Sequence, residues 1–147
     1  LVVILDIATK TMVLRDLVPG QVVPVFPGLS IRLLFNTGSA FGFLAQAGGW
    51  QQGLFIGISI IVIVLMFWLL KRTYPIPWRR GLAYSLIIGG ALGNLIDRVT
   101  FGHVIDFIDL YYQYYHWPTF NLADSSICMG VFFWLMDILF EEGVSNE

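Results

Sequence analysis

The sequence has 147 residues, of which 57% are hydrophobic and only 12% are charged, and its formal net charge is −2. Soluble domains carry about a quarter charged residues, so this composition excludes an ordinary soluble protein and indicates one integral membrane domain of about four spans. The lack of a long basic tract argues against a nucleic-acid partner, and the single cysteine excludes an internal disulfide and a multi-cysteine metal site.

A first membrane span is predicted over residues 1–17, which are mostly apolar. Because the sequence opens at Leu1 inside this apolar run, we expect the first helix to lack part of its cytoplasmic end. Asp6 and Lys10 are four residues apart, so a helix places them on one face. A carboxylate and an ammonium on one face of a span favour an intramembrane ion pair.

The next segment, residues 18–35, changes character. Its three prolines exclude a straight helix, and its valine, isoleucine and leucine residues favour short strands. We therefore predict a small extracytoplasmic β element between the first two membrane helices. Residues 36–50 follow, with glycines at turns and a predicted short interfacial helix around residues 40–47.

A second span is predicted over residues 53–70, which are uncharged and strongly apolar. Half of the eight Lys and Arg residues then fall in one short loop, at Lys71, Arg72, Arg79 and Arg80. Since cytoplasmic loops of membrane proteins are enriched in basic residues, this loop is predicted to be cytoplasmic. Both termini then also lie on the cytoplasmic side.

The third span, residues 81–96, is rich in glycine and alanine, which permits close helix packing. Asp97 and Arg98 follow, and their adjacency suggests a local charge pair. Residues 99–119 hold many aromatic side chains and are interpreted as an interfacial connection. The fourth span is predicted over residues 120–140, which makes the fold an all-α membrane protein of four transmembrane helices with a small β element.

Two aspartates are the candidate catalytic residues. Arg98 lies about 27 Å along a helix from Arg80, near the opposite bilayer face, and Asp106 follows soon after. Asp124 lies about 20 Å along a helix from Asp137, at the inner end of the fourth span. Both Asp106 and Asp124 are thus predicted near the outer face. Asp124 could instead serve as a helix cap, because Asp is favoured there.

If the two carboxylates lie close together, their titrations couple, and they share one proton near neutral pH. The ionised member can take a proton from water while the protonated member polarises a carbonyl. This chemistry hydrolyses a peptide bond with no metal and no cofactor. Three asparagines could cap backbone groups, or could offer donors and acceptors to an extended peptide, at Asn36, Asn94 and Asn121.

The sequence resembles the lipoprotein signal peptidase family, also called signal peptidase II. The resemblance is carried by five blocks in the family's order, namely DIATK at 6–10, NTGSAF at 36–41, GGALGNLIDR at 89–98, GHVIDFID at 102–109 and FNLADSS at 120–126. Together they extend over nearly the whole chain. The resemblance implies a single membrane peptidase domain over residues 1–147, with four transmembrane helices, a small outer β cradle and an interfacial helix.

The resemblance also implies the activity and the site. An aspartyl dyad matches Asp106 and Asp124, and the family's supporting polar positions match Asp6, Lys10, Asn36, Gly38, Asn94, Arg98, Asn121 and Ala123. The implied substrate is a bacterial prolipoprotein that carries a diacylglyceryl group, cut on the amino side of its lipidated cysteine. The implied surroundings are the lipids of the bacterial inner membrane, and globomycin-type cyclic peptides are the implied inhibitors.

The sequence is also compatible with two functions other than hydrolysis. A small transporter or channel could line a proton or cation path with Asp6, Asp106 and Asp124, and a scaffold could use its charges only to fix helix packing. A transporter would be expected to spread carboxylates through the membrane depth or to show an inverted repeat. The two key aspartates are instead predicted at one face, and no repeat is evident.

Overall fold

The computed structural model describes residues 1–38, 44, 47–73 and 75–144 of the chain. In chain order, the elements within these ranges are α1 (Val2–Asp16), β1 (Val22–Phe26), β2 (Leu29–Asn36), α2 (Trp50–Arg72), α3 (Trp78–Phe101), β3 (Val104–Tyr112), β4 (Tyr115–His116) and α4 (Leu122–Val144). Each of the four predicted spans overlaps one of these helices, although α2, α3 and α4 extend beyond the predicted bounds. The predicted interfacial helix at residues 40–47 lies mostly outside the described residues.

Three of the described helices are long and apolar enough to cross a membrane, namely α2, α3 and the Leu122–Leu139 part of α4. Helix α1 has only 15 residues, or about 22 Å of helix, and falls short of that length. The exposed apolar surface on α2 includes Ile58, Ile61 and Val64. Such a continuous apolar face needs apolar surroundings, so the fold is that of a membrane protein.

Helix α3 lies at the centre of the helical layer. Of the 18-residue apolar stretch that could cross a membrane, 56% is buried in α3, whereas only 6% is buried in α2. Its glycines let α4 approach closely, because a Cβ at Gly90 would collide with the backbone carbonyl of Ala123. At the far end of the same two helices, Arg80 Nε donates to Asp137 Oδ2 at 2.5 Å. The first contact fixes the first turn of α4 against the middle of α3, and the second joins the other ends of the two helices.

The four strands form one antiparallel sheet in the order β1-β2-β3-β4. Strands β1 and β2 are the β element predicted between the first two helices, so its presence and its place in the chain are confirmed. The prediction for residues 99–119 was incomplete, because this aromatic connection also holds β3 and β4. The protein is therefore not all-α, since its sheet draws on both connections on this side of the molecule.

The reason for the missed strands is visible in the burial of β3. Its first four residues are all buried, so the strand lacks the alternation that marks a half-exposed strand in a sequence. A small apolar cluster of Val13, Leu33, Ile105 and Phe107 packs the sheet against α1. Helix α3 ends at Phe101 and is followed by the capping residue Gly102, whose φ of 73° lets the chain reverse directly into β3.

Candidate active site

Asp106 projects from β3, where its register partner on β2 is Leu34, and its side chain is almost wholly buried. Two side-chain amides hold its carboxylate. Asn36 Nδ2 donates to Asp106 Oδ2 at 2.9 Å, and Asn121 Nδ2 donates to Asp106 Oδ1 at 2.8 Å. Both oxygens are therefore oriented by neutral donors, which satisfy the carboxyl group without fixing it as a permanent anion.

Asp124 lies in the first turn of α4, just after the residue that caps the helix. Asn121 Oδ1 accepts from the Asp124 backbone N–H at 2.9 Å, and Asp124 Oδ2 accepts from the Asn121 backbone N–H at 3.2 Å. This reciprocal pattern is a capping box. The capping alternative for Asp124 is thus partly right, although the cap itself is Asn121. The second oxygen, Oδ1, accepts from Asn94 Nδ2 at 2.7 Å.

Asn121 links the two aspartates. Its Nδ2 group also lies 3.1 Å from Asn94 Oδ1, while Asn94 in turn holds Asp124. Sequence reasoning could name these asparagines but not their partners, because the three come from β2, α3 and the start of α4. The structure therefore brings Asp106 and Asp124 to one polar cluster, where both line the same cavity.

The surroundings of Asp106 favour its protonated form. Burial, followed by the nearby charge of Asp124, raises the pKa of Asp106 to about 7, against the opposing hydrogen bonds from Asn36 and Asn121. A carboxyl group with that pKa is protonated in a large fraction of molecules at neutral pH. The site can therefore present the neutral carboxyl group of Asp106 to the cavity that Asp124 also lines.

A buried ion cluster lies directly behind the asparagines. Lys10 Nζ contacts Asp6 Oδ2 at 2.7 Å, Asp97 Oδ2 at 2.8 Å and Asn94 Oδ1 at 3.3 Å. The predicted Asp6–Lys10 pair is confirmed. The suggested pairing of Asp97 with Arg98 is wrong, because the Asp97 carboxylate is bound to Lys10 and Arg98 donates to the Gly38 carbonyl. Asp97 points inward and binds Lys10 instead.

The cluster also fixes backbone groups on either side of the site. Asp6 Oδ1 accepts from the Ala123 backbone N–H at 3.0 Å, one residue before Asp124. Asp97 Oδ2 accepts from the Ile105 backbone N–H at 3.1 Å, one residue before Asp106. The Lys10 cluster thus contacts the neighbour of each candidate catalytic aspartate. This explains why Ala123, which has no functional side chain, belongs to the site through its N–H.

Arg98 and Gly38 join the helices to the loop that follows β2. Asn36 Oδ1 accepts from the Gly38 N–H at 2.9 Å, and Arg98 Nη2 donates to the Gly38 carbonyl at 3.3 Å. The Arg98 guanidinium also lies 5.1 Å from the centre of the Phe55 ring on α2. Arg98 therefore holds a loop through a carbonyl, and it also lines the cavity.

The cavity has a volume of about 630 Å³. Its polar end is formed by Asn36, Asn94, Arg98, Asp106 and Asp124, and the rest of its lining is Val104, Leu110, Trp117, Pro118, Thr119, Phe120, Ser125, Ile127, Cys128 and Met129. Sequence reasoning missed Trp117 and Cys128 as lining residues. Cys128 carried a usable signal, because it follows Asp124 by four residues and so shares its helix face.

The cavity is lined by two acidic side chains, Asp106 and Asp124, and by a largely apolar wall. Among the described residues, no three His, Cys, Asp or Glu side chains are grouped as a metal ion would require. The carboxyl groups at the polar end can exchange protons with a water molecule.

Comparison with known proteins gives a consistent result. A family model described as signal peptidase (SPase) II matches residues 1–140. The lipoprotein signal peptidase of Pseudoalteromonas atlantica is 44% identical over 146 residues, which cover 99% of this chain and 89% of that protein. The lipoprotein signal peptidase of Acinetobacter baylyi is 47% identical over 146 residues, which cover 97% and 79% of the two chains.

The fold comparison agrees with the sequence comparison. A solved structure of a bacterial membrane enzyme, obtained by the in meso method at 2.3 Å resolution, superposes with a TM-score of 0.86 at 34% identity. The match covers 99% of this chain and 86% of that one. The similarity therefore includes the sheet as well as the helices.

Proposed function

Because the chain belongs to the signal peptidase II family of proteases, we propose that Asp106 and Asp124 are its catalytic dyad. The observation that carries this proposal is the double role of Asn121, which donates to Asp106 and caps the helix turn that holds Asp124. As a member of this family the protein is a membrane hydrolase of lipoprotein processing, and the transporter and scaffold readings are set aside.

In the proposed mechanism Asp124 is the base and Asp106 is the acid at the start of the cycle. Asp124 takes a proton from water, the water oxygen bonds to the scissile carbonyl carbon, and Asp106 gives its proton to the carbonyl oxygen. The raised pKa of Asp106 supports this assignment. As the C–N bond breaks, Asp124 passes its proton to the leaving amine and Asp106 recovers one from the diol hydroxyl.

The supporting residues act by position in this proposal. Asn36, Asn94 and Asn121 aim the carboxyl oxygens, and their amide groups are engaged with the dyad rather than free for substrate. Lys10 donates to the Asn94 side chain, and Asp6 accepts from the Ala123 backbone N–H. Three positions therefore contribute through backbone contacts or packing, namely Gly38, Arg98 and Ala123.

The proposed substrate is a bacterial prolipoprotein that already carries a diacylglyceryl group, and the proposed cut lies on the amino side of its lipidated cysteine. The apolar wall opposite the dyad supports this choice, because Leu110, Phe120, Ile127 and Met129 suit a lipid-bearing segment better than a polar peptide. Globomycin-type cyclic peptides are proposed to compete for the same cavity.

The proposed membrane arrangement has four spans in the bacterial inner membrane, with α1 as the first. The basic residues Lys71, Arg72 and Arg79 lie at the α2–α3 connection, so that end is proposed to be cytoplasmic. Asn94 is about 21 Å along α3 from Arg80. The dyad is therefore proposed near the outer face, where a lipid-anchored substrate presents its scissile bond, and both termini are proposed to be cytoplasmic.

The substrate proposal is tested with the purified protein and a prolipoprotein prepared with and without the diacylglyceryl group. Mass spectrometry of the product should find one cut, directly before the lipidated cysteine. The unlipidated form should be cut far more slowly, because it lacks the apolar contacts with the wall. A cut at another bond, or equal rates on both forms, would remove the lipid from the proposal.

A further inference from the structure

A second buried carboxylate, Asp109, lies on β3 three residues after Asp106 and is 1% exposed. It joins three strands. Ser30 Oγ on β2 donates to Asp109 Oδ2 at 3.0 Å, and Ser30 is also its register partner. His116 Nδ1 on β4 lies 2.8 Å from Asp109 Oδ1 and is the donor in this pair, since the carboxylate can only accept.

His116 sits at the start of one wall of the cavity. Its ring stacks on Tyr111 at a centroid distance of 5.3 Å, and the two residues are paired across β3 and β4. The four residues that follow, 117–120, all line the cavity. Four backbone bonds tie this segment to β3. Trp117 N donates to Leu110 O at 2.8 Å and Phe120 N donates to Ile108 O at 3.1 Å, while Phe120 O accepts from Phe107 N at 3.0 Å and from Ile108 N at 2.8 Å.

We propose that the contact between Asp109 and His116 is a positioning element that sets residues 117–120 as a binding wall and thereby determines substrate affinity. This inference rests on the proposed function, since it takes the cavity to be the substrate site. His116 does not line the cavity with its own side chain, so it acts through the segment that it begins. It is a positioning residue and not a catalytic one.

The geometry separates this element from the chemical step. The hydrogen bonds that orient the dyad come from Asn36, Asn94 and Asn121. Asp109 instead bonds to Ser30 and His116, on the far side of the strand from the dyad. Loss of the His116 donor leaves the buried Asp109 carboxylate with one hydrogen bond fewer. We expect residues 117–120 to become less firmly held, while Asp106 and Asp124 keep their own donors.

The test measures kcat and KM on a lipidated prolipoprotein with the full-length protein. His116→Ala should raise KM roughly tenfold, the scale of a lost hydrogen bond to a charged group, and leave kcat within about twofold. His116→Asn places an amide donor near the position of Nδ1 and should restore most of the affinity. Tyr114→Ala is the matched control, because this side chain is on the same hairpin and is 94% exposed.

Two outcomes overturn the inference. One is an unchanged KM in His116→Ala, and the other is a fall in kcat at constant KM. If His116→Ala does not fold, the comparison of His116→Asn with His116→Leu replaces it, since the two side chains have similar size and only one can donate. Failure of the wild-type protein to cleave the substrate would instead reject the proposed function.

Discussion

Asn121 Nδ2 donates a hydrogen bond to Asp106 Oδ1 at 2.8 Å, so the residue that caps α4 also binds a carboxylate on β3. The same side chain uses its oxygen to cap the N–H of Asp124. Asn121 therefore both caps the helix and positions the Asp106 carboxylate, and substitutions can separate these two roles.

Asn121→Ala should lose both tasks. Loss of the cap should destabilise the protein by about 1 kcal/mol, and loss of the bridge should reduce kcat by about 10²-fold. Asn121→Ser is the informative comparison. Serine also caps helices, but its short hydroxyl cannot cap α4 and also donate to Asp106. Thermal unfolding of Asn121→Ser should approach that of the wild type while its kcat stays low. Recovery of full activity in Asn121→Ser would contradict the bridging role.

Lys10→Met should destabilise the protein strongly. The ammonium is 2% exposed and lies between Asp6 and Asp97, so its removal leaves two buried carboxylates without their partner. Breaking a buried pair in this way costs about 3–5 kcal/mol. Arg15→Met is the matched control, because Arg15 forms an exposed pair with Asp16 and such pairs contribute about 1 kcal/mol or less. Equal melting temperatures for the two variants would contradict the burial argument.

The pH dependence of activity should follow Asp106. Because its pKa is raised to about 7 and it is the proposed acid, kcat/KM should fall as the pH rises above that value. Asn36→Ala should move this alkaline limb to higher pH, since the Asn36 hydrogen bond lowers the pKa of Asp106. A profile that stays flat well above neutral pH would contradict the assignment of Asp106 as the acid.

Stability should respond to pH in the same direction. The raised pKa means that the folded state binds more protons than the unfolded state between the ordinary Asp value of about 4 and about 7. The contribution of Asp106 to stability is therefore fully present at low pH and is lost as the pH rises through that window. Asp106→Asn should remove this part of the pH dependence in thermal unfolding.

Gly93→Ala should be disruptive although it adds a single methyl group. A Cβ at this position would lie 2.5 Å from Asp6 Oδ2 and 3.2 Å from the Cβ of Ala123. Overpacking of this kind costs about 1–3 kcal/mol. Gly57→Ala is the control, since a Cβ there has no atom within 4 Å and alanine favours a helix by about 1 kcal/mol. Comparable melting temperatures for the two variants would contradict the close packing at Gly93.

Sequence periodicity and local rules were enough for part of this fold. The apolar runs predicted the regions of all four helices, the prolines and β-branched residues predicted β1 and β2, and the i,i+4 spacing predicted the Asp6–Lys10 pair. Long-range contacts were beyond those rules. The pairing of β2 with β3, the turn of Asp97 toward Lys10 and the contact of Asn94 with Asp124 depend on how separate elements pack.

The site shows the same division. Depth along the helices predicted Asp106 and Asp124 near one face, but a rise per residue does not tell which side chains meet. The link through Asn121 required the start of α4 to lie against β3, and that position depends on the glycine-mediated packing of α3 on α4. The cavity wall at residues 117–120 was missed because its aromatic content was interpreted only as interfacial.

The most direct test of the central claim is the initial rate of cleavage of a lipidated prolipoprotein by Asp106→Asn and Asp124→Asn. In each variant kcat should fall by about 10²–10⁴-fold, because each substitution removes one partner of the proposed acid–base pair. Thermal unfolding should show that both variants still fold. Asp16→Asn, which changes an exposed carboxylate, should cleave like the wild type. Wild-type rates in either Asp106→Asn or Asp124→Asn would contradict the catalytic dyad.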